Sequence, residues 1–129
     1  KFGVKVTLCG PPEFVPEVAA TLAPGVRVTR HLEEAVRGID VIMLLRVQKE
    51  RLAGKRIKLE DYVARYQMTT ARLKLAKRDA IVMHPGPIIR GLELTGEVAD
   101  CPQSAIVEEV RNGVPVRMAI LARAMGKRR

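Results

Sequence analysis

The run Asp79-Ala80-Ile81-Val82-Met83-His84-Pro85-Gly86-Pro87 decides the fold. A short apolar stretch bounded by a charge and by turn residues reads as a strand covered on both faces, the kind found in parallel sheets flanked by helices. Upstream, Asp40-Val41-Ile42-Met43-Leu44-Leu45 repeats the pattern and leads straight into Arg46-Val47-Gln48. Gly3 to Cys9 alternates β-branched and polar residues and stops at Gly10-Pro11-Pro12, and Val26 to Thr29 supplies a fourth short strand. Helical spacing fills the intervals. It predicts helices over Phe14–Leu22 with Pro16 in the first turn, over Leu32–Val36 closed by Gly38, and over Leu59–Tyr66. Another spans Thr70–Lys77, capped by Thr69 or Thr70 with Leu73 and Leu75 turned inward. Ser104 can cap a helix over Ala105–Arg111, which Asn112-Gly113 interrupts before a last amphipathic helix over Val116–Met125. The alternation of strands and helices predicts an α/β fold, a three-layer, mostly parallel sheet with flanking helices. Ligands bind such sheets outside the carboxyl ends of the strands, so Arg46-Val47-Gln48 and His84-Pro85-Gly86-Pro87 are expected to share one edge.

The 129 residues suit one domain and one modest core. With 47% hydrophobic and 29% charged residues, the composition is that of neither a disordered chain nor a membrane protein. No stretch approaches the roughly 20 apolar residues needed to cross a bilayer. Lys1-Phe2-Gly3-Val4-Lys5 lacks the apolar centre of a secretion signal, so the expected location is the cytoplasm. Cys9 and Cys101 have no CxxC spacing and lie in no ligand pattern with either histidine. They read as small buried hydrophobes, and neither a metal nor a cofactor is expected.

The net charge of +9 admits two kinds of partner, a polyanion or small substrates rich in carboxylate and phosphate. Residues 46–90 hold twelve basic and four acidic side chains, +8 of the total. No aromatic residue interleaves the basic stretch Lys49–Lys58 to stack bases, and neither nucleic-acid nor membrane binding is expected. No phosphate-binding glycine loop or nucleophile elbow is present. The polar segment from Arg46 to Lys58 reads as a long loop or fragmentary helix, and loops of that length usually carry function.

Arg46 follows its apolar run directly, which puts a planar guanidinium at the sheet mouth, suited to bidentate capture of a carboxylate or phosphate. Gln48 points to the same side, and Glu50, at i+4 if the chain turns helical, can hold the guanidinium in place. An ordinary surface ion pair is the plainer reading. In His84-Pro85-Gly86-Pro87 two prolines fix the backbone around a glycine without bulk, which suits close approach of a ligand. A stiff turn, with or without a cis bond, is the plainer reading there, and His84 reads as structural rather than as an acid or base.

Together these segments resemble a known family. Leu44-Leu45-Arg46-Val47-Gln48-Lys49-Glu50-Arg51 and Asp79–Glu93, which contains His84-Pro85-Gly86-Pro87, are similar to the aspartate-binding half of aspartate carbamoyltransferases. Gln103-Ser104-Ala105-Ile106 and Asn112–Leu121 resemble that family's C-terminal helices, so the likeness runs from about Val4 to Leu121. The resemblance implies transfer of the carbamoyl group of carbamoyl phosphate to the α-amine of L-aspartate, a step of pyrimidine biosynthesis that needs no cofactor. It implies that Arg46 binds an aspartate carboxylate with Gln48 beside it, and that Glu50 orients Arg46. Pro85, Gly86 and Pro87 are implied to meet carbamoyl phosphate, and the segment after Arg51 to close over the substrates. The family's catalytic histidine is not His84 and belongs to another domain, so no catalytic residue is expected here.

Ile89 stands where the bacterial pattern usually has Asn. The family's N-terminal carbamoyl-phosphate domain, with its Ser-Thr-Arg-Thr-Arg loop, has no counterpart in these residues. Nor has the first strand and helix of the aspartate domain, with its His-Ser-Arg segment. The Ser-Met-Gly loop and His-Cys-Leu-Pro turn of the sister ornithine enzymes do not occur either, which favours aspartate as the substrate. The expectation is therefore most of a C-terminal aspartate-binding domain, inactive alone, from a chain that assembles as a homotrimer. Because a first strand normally lies centrally in such sheets, its absence predicts a hole between the strands that remain. The alternative is a catalytically silent relative serving as a basic binding or scaffold module.

Overall fold

The structure, a computed structural model, describes residues 3–47 and 58–126. Its strands are short: β1 Thr7–Cys9, β2 Arg27–Thr29, β3 Val41–Met43 and β4 Ile81–Met83. The helices are α1 Leu32–Val36, α2 Leu59–Tyr66, α3 Thr70–Leu73, α4 Gly96–Ala99 and α5 Ile106–Ala124.

Among the described residues all strand pairing is parallel, in keeping with the alternation of strand and helix, because a parallel connection needs a crossover. The strands form two separate pairs, β1 with β2 and β3 with β4. In the second pair Val41, Ile42 and Met43 stand opposite Ile81, Val82 and Met83. On its far side β4 is bridged to Ser104, leaving the other edge of β3 toward β1. The two pairs face each other across a cavity of about 810 Å³, lined by every residue of β1 and β3. The hole expected between the strands is present.

One core serves both pairs. Leu32 and Val36 of α1, Ile42, Val82, Leu73 of α3, Val98 and Ala99 of α4, and Ile106 pack together around Met68 and Leu94. Met68 and Leu94 are fully buried and joined by a short parallel bridge. Thr69 caps α3 by accepting the N–H of Arg72, and of the two leucines expected inward Leu73 is buried and Leu75 packs against the core. Gly38 follows α1 at φ +66°, a conformation that glycine adopts without strain.

Four local expectations are corrected. Strands β3 and β4 are not covered on both faces: Ile42 and Val82 are buried, while Val41, Met43 and Ile81 are 48%, 50% and 41% exposed. The side chains alternate, and the second face stays partly exposed. Phe14–Leu22 forms only a 3-10 turn over Glu17–Thr21, with Val18 and Leu22 exposed, because Pro16 sets its start and Pro24-Gly25 follow closely. Asn112-Gly113 does not interrupt the last helix. Gly113 keeps a negative φ, and α5 runs on through Pro115, whose ring costs it one interior hydrogen bond. Ser104 does not cap that helix either, since it is bridged to Val82 and Ala105 takes the cap position.

Candidate functional site

Because β3 and β4 run in parallel and in register, their carboxyl ends deliver two turns to the same place. The Leu44 N–H donates to the Met83 carbonyl at 2.9 Å, extending the ladder to the edge of the site. Beyond it the β3 chain alternates: Arg46 is exposed, and Val47 turns inward with 4% exposure. Beyond β4 come His84, Pro85, Gly86 and Pro87. Arg46, Pro85, Gly86 and Pro87 all line the cavity, together with Gly10 and Pro11 from the end of β1. The structure thus unites four of the residues singled out from the sequence. Gln48 and Glu50, and with them most of the long polar segment, lie outside the described residues.

Gly86 adopts φ +69°, and a Cβ there would stand 3.3 Å from Val110 Cγ2 of α5. Its backbone is therefore open toward the cavity and closed behind. The Gly86–Pro87 peptide bond is cis.

His84 is fully buried, consistent with a structural part. Its Nδ1 accepts the Gly86 N–H at 2.9 Å, and its own N–H donates to Glu109 Oε2 at 2.9 Å. Burial pushes the imidazole below the usual histidine range against the pull of Glu93 and Glu109, so it is neutral at neutral pH. Tethered in this way, it is not free to exchange protons with a ligand.

Three features escaped sequence reading. Glu93, 1% exposed, bridges the two turns: Oε1 accepts the Val47 N–H and Oε2 the Ile89 N–H, each at 3.1 Å. An acid in a stretch of mixed polarity carries no periodic signal of burial. Phe14, Tyr62 and Tyr66, three of the chain's four aromatic residues, gather on one wall of the cavity. Tyr62 meets Phe14 edge-on at 6.1 Å and Tyr66 at 5.6 Å, and burial pushes its hydroxyl up to about 12. Their separation in sequence concealed the cluster. Third, Arg72, Lys77 and Arg90 of the basic stretch pair with Glu33, Asp40 and Asp100.

Cys9 and Cys101 are free, and burial raises the Cys9 thiol to about 11. Among the described residues no group of histidine, cysteine and acidic side chains could hold a metal ion. None of the described helices is long and apolar enough to cross a membrane. The site offers a cation, rigid backbone and an aromatic wall, which suits it to binding and orienting small anions.

A parallel α/β fold with an arginine and a rigid proline turn at adjacent strand ends defines a class, that of α/β domains that offer a ligand site at the carboxyl ends of their strands. Residues 1–124 match the family model for the aspartate/ornithine carbamoyltransferase Asp/Orn binding domain, and the chain belongs to that family. It is 57% identical over 127 residues to the aspartate carbamoyltransferase catalytic subunit of Koribacter versatilis, across 98% of this chain and 42% of that one. With the same subunit of Thermus thermophilus it shares 48% over 119 residues, 92% of this chain and 38% of that one. The chain thus spans about two fifths of the curated relatives it matches. Among solved structures, aspartate transcarbamoylase of Trypanosoma cruzi superimposes with a TM-score of 0.69 at 32% identity, covering 90% of this chain and 38% of that one. The ornithine carbamoyltransferase of Pyrococcus furiosus shares the fold, with a TM-score of 0.79 at 24% identity over 98% of this chain and 44% of that one.

Proposed function

We propose that this chain forms the aspartate-binding part of an aspartate carbamoyltransferase. The observation that carries the reading is the convergence of Arg46 with Pro85, Gly86 and Pro87 on one cavity at the ends of β3 and β4. Arg46 holds a carboxylate of L-aspartate through its guanidinium fork, with Gln48 adding an amide and Glu50 steadying the arginine. The backbone of Pro85-Gly86-Pro87 holds the carbamoyl group, since a glycine between two prolines presents carbonyls without side-chain obstruction. So placed, the α-amine attacks the carbamoyl carbon, a C–N bond forms, the bond to the phosphate oxygen breaks, and the nitrogen gives up a proton. The products are N-carbamoyl-L-aspartate and phosphate, a step of pyrimidine biosynthesis in the cytoplasm. Proximity and orientation are what such a site contributes, and it needs no cofactor. The remaining groups, including those that hold the phosphate, come from an N-terminal domain of the longer polypeptide, which assembles as a homotrimer. This chain alone is inactive.

Arg46→Ala in the full-length enzyme is expected to raise the aspartate KM by roughly ten- to hundredfold, the loss of a charge-assisted hydrogen bond. Unchanged aspartate dependence overturns the role given to Arg46. A basic scaffold module is disfavoured by the pairing of Arg72, Lys77 and Arg90 with acids, which takes their charge out of any polyanion-binding face.

A further inference from the structure

One buried carboxylate connects the two turns assigned to the two substrates. Val47, whose N–H donates to Glu93 Oε1, directly follows Arg46. Ile89, whose N–H donates to Oε2, lies two residues beyond Pro87. His84 adds a third group: with Nδ1 occupied as an acceptor, its proton sits on Nε2, 3.9 Å from Glu93 Oε1. Among the described residues Nε2 has no hydrogen-bond partner, so Glu93 is its polar neighbour rather than its acceptor.

The carboxylate is itself rigidly presented. The Glu93 carbonyl accepts the Met68 N–H at 2.8 Å, and the turn before it is closed by Gly91 N–H to Leu94 at 2.8 Å and Leu92 N–H to Ile89 at 3.1 Å. Glu93 is thus bolted to the fully buried Met68–Leu94 bridge at the centre of the core. Burying a carboxylate is costly, and an apolar side chain would fill the same space at less expense. What only a carboxylate supplies is two acceptors at a fixed separation, aimed at two N–H groups from different strand ends.

We propose that Glu93 is a positioning residue that sets the distance between the aspartate-carboxylate subsite at Arg46 and the carbamoyl subsite at Pro85-Gly86-Pro87. The proposal rests on the carbamoyltransferase reading of the site. Glu93, almost wholly buried where it borders the cavity, acts through the Val47 and Ile89 N–H groups it holds. It holds the strand ends so that the amine and the carbamoyl carbon meet, and its loss lets Arg46 move relative to the proline turn while leaving both subsites present.

The test uses the full-length enzyme. Glu93→Gln keeps one acceptor and puts an NH2 group against one of the two N–H donors; Glu93→Asp keeps both oxygens but withdraws them by one methylene and is the second variant should the first not fold. Val98→Ala, a fully buried change away from the cavity lining, is the control for lost stability. Glu93→Gln or Glu93→Asp is expected to lower kcat and raise the aspartate KM on the order of 10- to 100-fold, since misplacement by about 1 Å is enough for that loss. Val98→Ala lowers the unfolding temperature without either change. In a double-mutant cycle, Glu93→Gln on Arg46→Ala adds little to the aspartate KM, because the two act through one contact. Normal kcat and KM in a folded Glu93 variant, or full additivity with Arg46→Ala, overturns the proposal. Absence of carbamoyl transfer to aspartate in the unmutated enzyme overturns the functional reading instead.

Discussion

At Gly86 and His84 single-residue geometry dictates what substitution will do. Gly86 combines a positive φ with a crowded rear, so Gly86→Ala must strain the backbone by about 1–2 kcal/mol and press its methyl on Val110. Activity of the full-length enzyme should fall and the carbamoyl phosphate KM rise; unaltered kinetics would show that the turn has slack. His84 makes a pH prediction. Its folded pKa is depressed by burial, so between the unfolded value near 6.5 and that lower value the unfolded chain binds a proton that the folded one refuses. Stability is therefore full above about 6.5 and declines as pH falls below it. Urea midpoints measured from pH 7.5 to 5 should show this decline, and His84→Gln should flatten it. The turn itself was legible, because two prolines around a glycine restrict the backbone by local sterics alone. The hydrogen bonds that make His84 structural were not, since they come from Gly86 and from Glu109 on α5.

Among the elements, the packing of α1, α2 and α3 turns on Arg72. Its Nε pairs with Glu33 Oε1 of α1 at 2.8 Å, while its two terminal nitrogens donate to the carbonyls of Gln67 and Ala64 at 2.7 and 2.9 Å. The guanidinium closes the last turn of α2, where carbonyls otherwise lack partners, and joins it to α1. Replacing Arg72 by alanine should cost about 1–3 kcal/mol in denaturant unfolding, and lysine should recover little because it lacks the fork. Full recovery by lysine would show that charge alone matters. Periodicity revealed α1 and α2 almost to the residue, since their apolar spacing and turn signals agree. It failed at α5, because Asn112, Gly113 and Pro115 disfavour a helix locally and the continuous helix runs through all three.

Over the whole molecule, the division of the strands into two pairs governs the remaining expectation. β1 and β3 face one cavity, and a parallel strand laid between them would unite β2, β1, β3 and β4 into one sheet. We expect the longer polypeptide to supply that strand. Amide hydrogen exchange at β1 and β3 should then be markedly slower in the full-length protein than in these 129 residues alone, while β4, already paired on both sides, changes less. Equal protection of β1 and β3 in the two proteins would rule the inserted strand out. The half-exposed Val41 and Met43 belong to the same scale: an apolar run reads as doubly covered, but cover comes from whatever packs on it.

Sequence by itself determined the alternation of strands and helices, the parallel class, the place of Arg46 at a strand end and the stiff His84-Pro85-Gly86-Pro87 turn, because backbone sterics and apolar period are local properties. Tertiary structure alone decided that Gly10 and Pro11 join the two strand ends around one cavity, that three distant aromatic residues form its wall, and that Glu93 ties the turns together. Those are contacts between residues far apart in the chain, and no local preference encodes a partner that only folding brings within reach.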